Sequence, residues 1–71
     1  MGAQKVVTHR TQVEVYKDGV LTDNYSSTLR PADCVKAFVD EGWDVVVTHN
    51  KAVRLSNGPT YKAVISRLGK H

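Results

Sequence analysis

The apolar positions of this chain change their spacing several times, and each change marks an element. From Val7 to Tyr16, Val13 and Val15 alternate with Gln12, Glu14 and Tyr16, the period-two pattern of a strand with one buried face. Lys17-Asp18-Gly19 breaks the run, and Val20 to Thr28 resumes it with Thr, Tyr and Ser. The pair predicts a β-hairpin. Two registers compete. A two-residue Asp18-Gly19 turn sets Glu14 opposite Asp23, an unfavourable like-charge pair. A three-residue loop, Lys17-Asp18-Gly19, sets Val15 opposite Leu21 and gathers Val13, Val15, Leu21 and Tyr25 on one face. Gly19 then takes the left-handed position that glycine fills without strain. The second register is preferred.

Leu29 to Glu41 has helical spacing, with Ala32, Val35, Phe38 and Val39 as the apolar stripe. Pro31 suits a first turn, where its missing N–H costs nothing. Asp33 lies near the positive end of the helix dipole, Lys36 and Asp40 form an i,i+4 pair, and Gly42 stops the helix. Arg30 is a poor N-cap, so Thr28 is the expected one.

Trp43 to Ser56 reads as one long strand, since Trp43, Val45, Val47, Val53 and Leu55 share a parity. His49-Asn50-Lys51 interrupts it with a bend, bulge or turn, and Ser56-Asn57-Gly58-Pro59 is a turn. Thr60 to Leu68 fits both a helix (Tyr61, Val64, Ile65, Leu68) and a strand (Tyr61, Ala63, Ile65). The strand is preferred, because Val53-Arg54-Leu55 before Ser56-Asn57-Gly58 echoes Val13-Glu14-Val15 before Lys17-Asp18-Gly19.

These elements predict a single small α+β domain over residues 1–71. An antiparallel sheet carries one helix on one face, ββαββ, with a short terminal helix as the alternative for the last segment. The expected core is Val13, Val15, Leu21, Val35, Phe38, Val39, Trp43, Val45, Val47, Val53, Leu55 and Ile65. The opposite face then carries Val6, Tyr16, Val20, Val46 and Val64, more apolar surface than a water-facing layer needs. Tyr16, Val20, Val46 and Val64 are therefore candidate protein-interface residues. A chain of 71 residues has little stability to spare, which makes a protein partner or self-association the leading expectation.

Charge adds a second candidate. The net charge is +3, but residues 1–40 balance, whereas Val45 to His71 holds Lys51, Arg54, Lys62, Arg67 and Lys70 and no acid. A one-signed segment attracts polyanions, so these five residues are candidate nucleic-acid contacts; the plainer alternative is that they only aid solubility. Chemistry finds less support. The glycines never cluster into a phosphate loop. Cys34, His9, His49 and His71 are too scattered for a metal site, so no metal and no cofactor is implied. Asp44 and His49 form the one acid–base pair to nominate, and on one unbroken strand they point to opposite sides. A hydrolase centred on His49 is thus the third reading. With no apolar run near the roughly 18 residues that span a bilayer, no membrane role is expected. The chain opens on a polar stretch, and its single cysteine suits a reducing cytoplasm.

Residues 12–41, strand–turn–strand–helix, resemble part of a double-stranded RNA-binding domain, without that family's opening helix. Residues 35–49, a helix ending in Gly42-Trp43 and then a strand and a histidine, resemble a stretch of HicA-type RNase toxins. There the catalytic histidine follows a Gly-Ser step, whereas His49 follows Thr48. Neither resemblance implies a site residue in this chain. The expected function is a non-enzymatic protein-binding regulator or inhibitor, ahead of nucleic-acid binding.

Overall fold

The computed structural model describes residues 8–49 and 52–68. Its elements are β1 (Thr11–Lys17), β2 (Val20–Ser27), α1 (Pro31–Asp40), β3 (Asp44–His49), β4 (Ala52–Asn57) and β5 (Tyr61–Arg67). All neighbouring strands are antiparallel, in the order β2-β1-β5-β4-β3. The expected α+β architecture is present: one sheet with one helix on one face. The long run 43–56 is two strands, with His49 paired to Ala52, and the last segment is a strand. It inserts between β1 and β4 and becomes the middle of the sheet.

The core sits where α1 crosses β5. Val13, Cys34, Leu55, Ala63 and Ile65 are buried, and Val15, Val35, Phe38, Trp43 and Val53 pack around them. On the helix the inward stripe is Pro31, Cys34, Val35 and Phe38, spaced i, i+3, i+4, i+7, so Ala32 and Val39 face outward. Thr11 is also fully buried, and its hydroxyl donates to the Leu29 carbonyl at 2.6 Å, tying the loop before α1 to β1.

Both ends of α1 follow from local sequence. Arg30, not Thr28, is the N-cap, in extended geometry and with no side-chain bond, because Pro31 takes the first helical position. At the other end Gly42 has φ 100°, its N–H donates to the Val39 carbonyl, and the Trp43 N–H donates to the Phe38 carbonyl. This pair of bonds is the Schellman motif, which needs a left-handed residue at Gly42's position. The Phe38 and Trp43 rings meet edge to face, centroids 5.0 Å apart, closing the apolar contact that accompanies the motif.

The first hairpin differs from the preferred register. Asp18 (φ 53°) and Gly19 (φ 81°) form a two-residue turn with both central residues left-handed, the type I′ geometry that matches strand twist. Lys17 pairs with Val20 and Tyr16 with Leu21. A bulge then absorbs Thr22, so Val15 faces Asp23 and Glu14 faces Asn24. The like-charge clash that argued against this turn is thereby removed, and the Thr22 hydroxyl donates to the Val15 carbonyl at 3.2 Å.

The two-residue turn puts Leu21 on the helix-free face, opposite Tyr16, and Val20 with Lys17 on the helix side beyond the helix. A second bulge lies in β3: Val45 pairs with Leu55, but Val47 pairs with Arg54, leaving Val46 extra. Val47 therefore joins the helix-free face. Leu21, Val39, Val45 and Val47, all expected in the core, are exposed, because each lies on an edge strand or on the outer side of α1. Tyr25 and Tyr61 stand on the helix side but partly exposed; the Lys17 Nζ lies 5.9 Å from the Tyr61 ring centroid. Val6 falls outside the described residues.

Three outcomes are expected. Gly19→Val forces a β-branched residue to positive φ and lowers stability by more than about 1 kcal/mol in denaturant melts. Ile65→Ala empties the centre of the core and costs about 2–5 kcal/mol, enough to leave a domain of this size largely unfolded by circular dichroism. The Tyr25 phenol is held above its ordinary value of 10.0 by desolvation first, then by charge on Asp23, Cys34 and Glu41. The unfolded chain thus ionises there before the folded one. The associated stability is whole below pH 10.0 and is lost as pH rises through the raised value. Tyr25→Phe removes that part of the alkaline slope in melts above pH 10.0, and a slope identical to wild type refutes it.

Candidate interaction site on the helix-free face

Register decides which side chains share the uncovered face. Tyr16 pairs with Lys62, Glu14 with Val64, Arg54 with Val64, and Ser56 with Lys62. Directly paired residues project to the same side of a sheet, so Tyr16, Arg54, Lys62 and Val64 stand together, opposite the helix. The β3 bulge brings Val47 to the same side. These residues, with Val46, line an open depression of about 620 Å³. Its floor runs over the backbone of Leu55 and Ala63, whose side chains point into the core. Its end wall is two turns: Asp18-Gly19 and Pro59-Thr60. The Asp18 N–H donates to the Thr60 carbonyl at 2.8 Å and locks these turns together.

Across the face, Arg54 stands between Val47 and Val64 in one cross-strand row, and Lys62 between Tyr16 and Ser56 in the next. Val46 is 61% exposed and Val47 43%, while Tyr16 and Val64 are half-buried. Arg54 and Lys62 are diagonal neighbours across β4 and β5, within side-chain reach of one another. Asp18 is the carboxylate of the lining. Glu14 stands beyond it on the same face, accepting a bond from the Tyr16 hydroxyl at 3.4 Å. Further along, Gln12 donates to Asn24, and the His9 ring and Ser26 hydroxyl are 2.7 Å apart.

Two sets of sequence-derived candidates thus meet in one place. Tyr16, Val46 and Val64 from the apolar set and Arg54 and Lys62 from the basic set line the same depression. Val20 does not join them, since it pairs with Lys17 on the opposite side. Arg67 is also elsewhere: it pairs with Thr11 on the helix side and is exposed. Lys51 and Lys70 lie outside the described residues. Sequence reasoning missed Val47 as a site residue, because nothing in three consecutive valines marks which one is the bulge.

Acid–base chemistry gains nothing from the geometry. The β3 bulge overturns the parity argument and puts Asp44 and His49 on the same face, paired with Ser56 and Ala52. Those partners are four strand residues apart, however, so the two groups are about 13 Å apart along the sheet at about 3.3 Å per residue. Among the described residues no group of three or more His, Cys, Asp or Glu is placed to hold a metal ion. No described helix is long and apolar enough to cross a membrane. Compared with family models, curated proteins and solved structures, the chain matches none.

Proposed function

We propose that this chain is a small non-enzymatic interaction module of the cytoplasm, a protein-binding regulator or inhibitor that engages its partner through the helix-free face of the sheet. One observation carries the proposal: Tyr16, Val46, Val47 and Val64 share a single open depression with Arg54 and Lys62. Tyr and Arg are the side chains that most often anchor a protein interface, and here they stand beside exposed valines on one face. A one-layer helix covering leaves the second sheet face without the apolar partner that layered domains supply.

The basic segment supports nucleic-acid binding less well, because its cations divide between faces. Arg54 and Lys62 stand together, Arg67 projects from the other side, and Glu14 and Asp18 dilute the positive field near the first two. Duplex binding through Arg54 and Lys62 alone gives a log–log salt slope of only about −1.8.

The test uses the whole chain as bait in a source lysate, with and without nuclease. A partner is expected to remain after nuclease treatment and to be lost with Val46→Lys, whose melting stays within about 0.5 kcal/mol of wild type because the site is exposed. Capture that disappears with nuclease transfers the function to nucleic-acid binding. Capture that survives Val46→Lys overturns the assignment to this face.

A further inference from the structure

The middle cross-strand row of the helix-free face carries opposite charges about a centre. Val64 on β5 pairs with Glu14 on β1 and with Arg54 on β4, so a carboxylate and a guanidinium stand on opposite sides of one valine. They are two strands apart, about 10 Å. Among the described residues neither has an ion pair within the chain; Lys36 and Asp40, 3.5 Å apart on α1, do. The row extends to Asn24 on β2 and Val47 on β3, and the neighbouring row holds Leu21, Tyr16, Lys62, Ser56 and Asp44. β5 is the third of five strands. A half-turn about its direction therefore lays this face on a copy of itself with β1 over β4 and β2 over β3.

In that arrangement Glu14 of each copy meets Arg54 of the other, twice by symmetry, as an isologous contact requires. The two Val64 side chains meet between these pairs. At the flanks Leu21 lies over β3 of the second copy, against Val46, with Asp44 on the rim. Leu21 is 45% exposed and Val46 61%, so the contact removes apolar surface that the single chain leaves in water. One contact opposes it: Lys62 meets Lys62 across the axis. Five strands about 4.8 Å apart and about 23 Å long give each copy a face of roughly 550 Å² in plan. Two such faces amount to roughly 1,100 Å², the low end for a specific interface, so the dimer depends on concentration.

We propose that the partner of this face is a second copy of the chain, packed face to face about a twofold axis along β5, with Glu14 of each copy paired to Arg54 of the other. This rests on the protein-binding assignment of the face and names the partner. An occupant of one charge sign fits less well. Glu14, Asp18 and Asp44 stand around Arg54 and Lys62, so an acidic helix or a phosphate backbone meets repulsion beside attraction. Strand addition requires an uninterrupted edge ladder, and the bulges at Thr22 and Val46 interrupt both edges. A second copy supplies both signs in equal number. Its sheet also covers the side that α1 leaves open, giving two stacked sheets with a helix on each outer side.

The test is sedimentation equilibrium of the full chain at concentrations up to about 500 µM, which reaches a weak dimer. Melts of every variant are followed by circular dichroism. The unaltered chain is expected to dimerise. Glu14→Arg and Arg54→Glu each set like charges together twice and weaken the dimer at least about tenfold. Mixed in equal amounts, these two variants pair with one another, because each supplies the sign the other lacks at both contacts. The double variant Glu14→Arg/Arg54→Glu dimerises like the unaltered chain, and Lys62→Met tightens the dimer by removing the repulsion on the axis. A chain that stays monomeric overturns the proposal, as does a dimer that neither single reversal weakens. Folded single variants that fail to pair on mixing overturn it too. If a reversal unfolds the chain, Lys62→Met decides: a tighter dimer supports the proposal, and an unchanged or weaker one overturns it. A monomeric chain whose captured protein is lost with Val46→Lys keeps the protein-binding face with a different partner. If capture survives Val46→Lys as well, both fail.

Discussion

Everything in this fold depends on the last strand entering the middle of the sheet. β5 makes two ladders at once, and each core row is complete only through it. Val13 and Val53 both pair with Ile65, and Val15 and Leu55 both pair with Ala63. Before β5 is in place there are two separate units, the β1–β2 hairpin with its attached helix and the β3–β4 hairpin, each with an uncovered apolar side. Neither is large enough to be stable alone, since an isolated hairpin is marginal in water. α1 contacts β5 and β3, and its buried residue is Cys34, so the helix also finds its seat only after insertion.

Two irregularities set which side chains the helix-free face presents. Without the Thr22 bulge, the type I′ turn would carry Glu14 into register with Asp23. Without the Val46 bulge, Val47 would point toward α1 and the depression would lose part of its floor. Both extra residues sit on edge strands, where an interruption costs one ladder and not two. Each bulge therefore interrupts an edge, and the one at Val46 also shapes the depression, which leaves the sheet's side and not its rim as the surface for recognition.

Much of this was legible in the sequence, and the failures have specific causes. Strand periodicity, the Asp18-Gly19 turn, the Pro31 start and the Gly42 stop are local signals, and local geometry honours them. The N-cap was misplaced because capping preference argued against Arg30, while Pro31 fixed the boundary regardless. The preferred hairpin register failed because an electrostatic clash was weighed without the bulge that relieves it. Leu21, Val45 and Val47 were assigned to the core by parity. Parity reads a face but not whether anything covers it, and one extra residue reverses it. For the candidate site, Tyr16, Arg54 and Lys62 could be placed on one side from alternation and the second hairpin. Their meeting with Val46 and Val47 depends on strand order, which no local pattern encodes.

The central position of β5 also bears on how the chain emerges during synthesis. A nascent chain exposed only as far as Asn57 holds four strands with no ladder between β1 and β4, since both are paired through β5. The sheet closes when residues 61–67 are free, so folding waits for nearly all of this segment to leave the ribosome. Through that interval the inner sides of Val13, Val53 and Leu55 face solvent, and the domain gains a core, a helix seat and a recognition face in one late step.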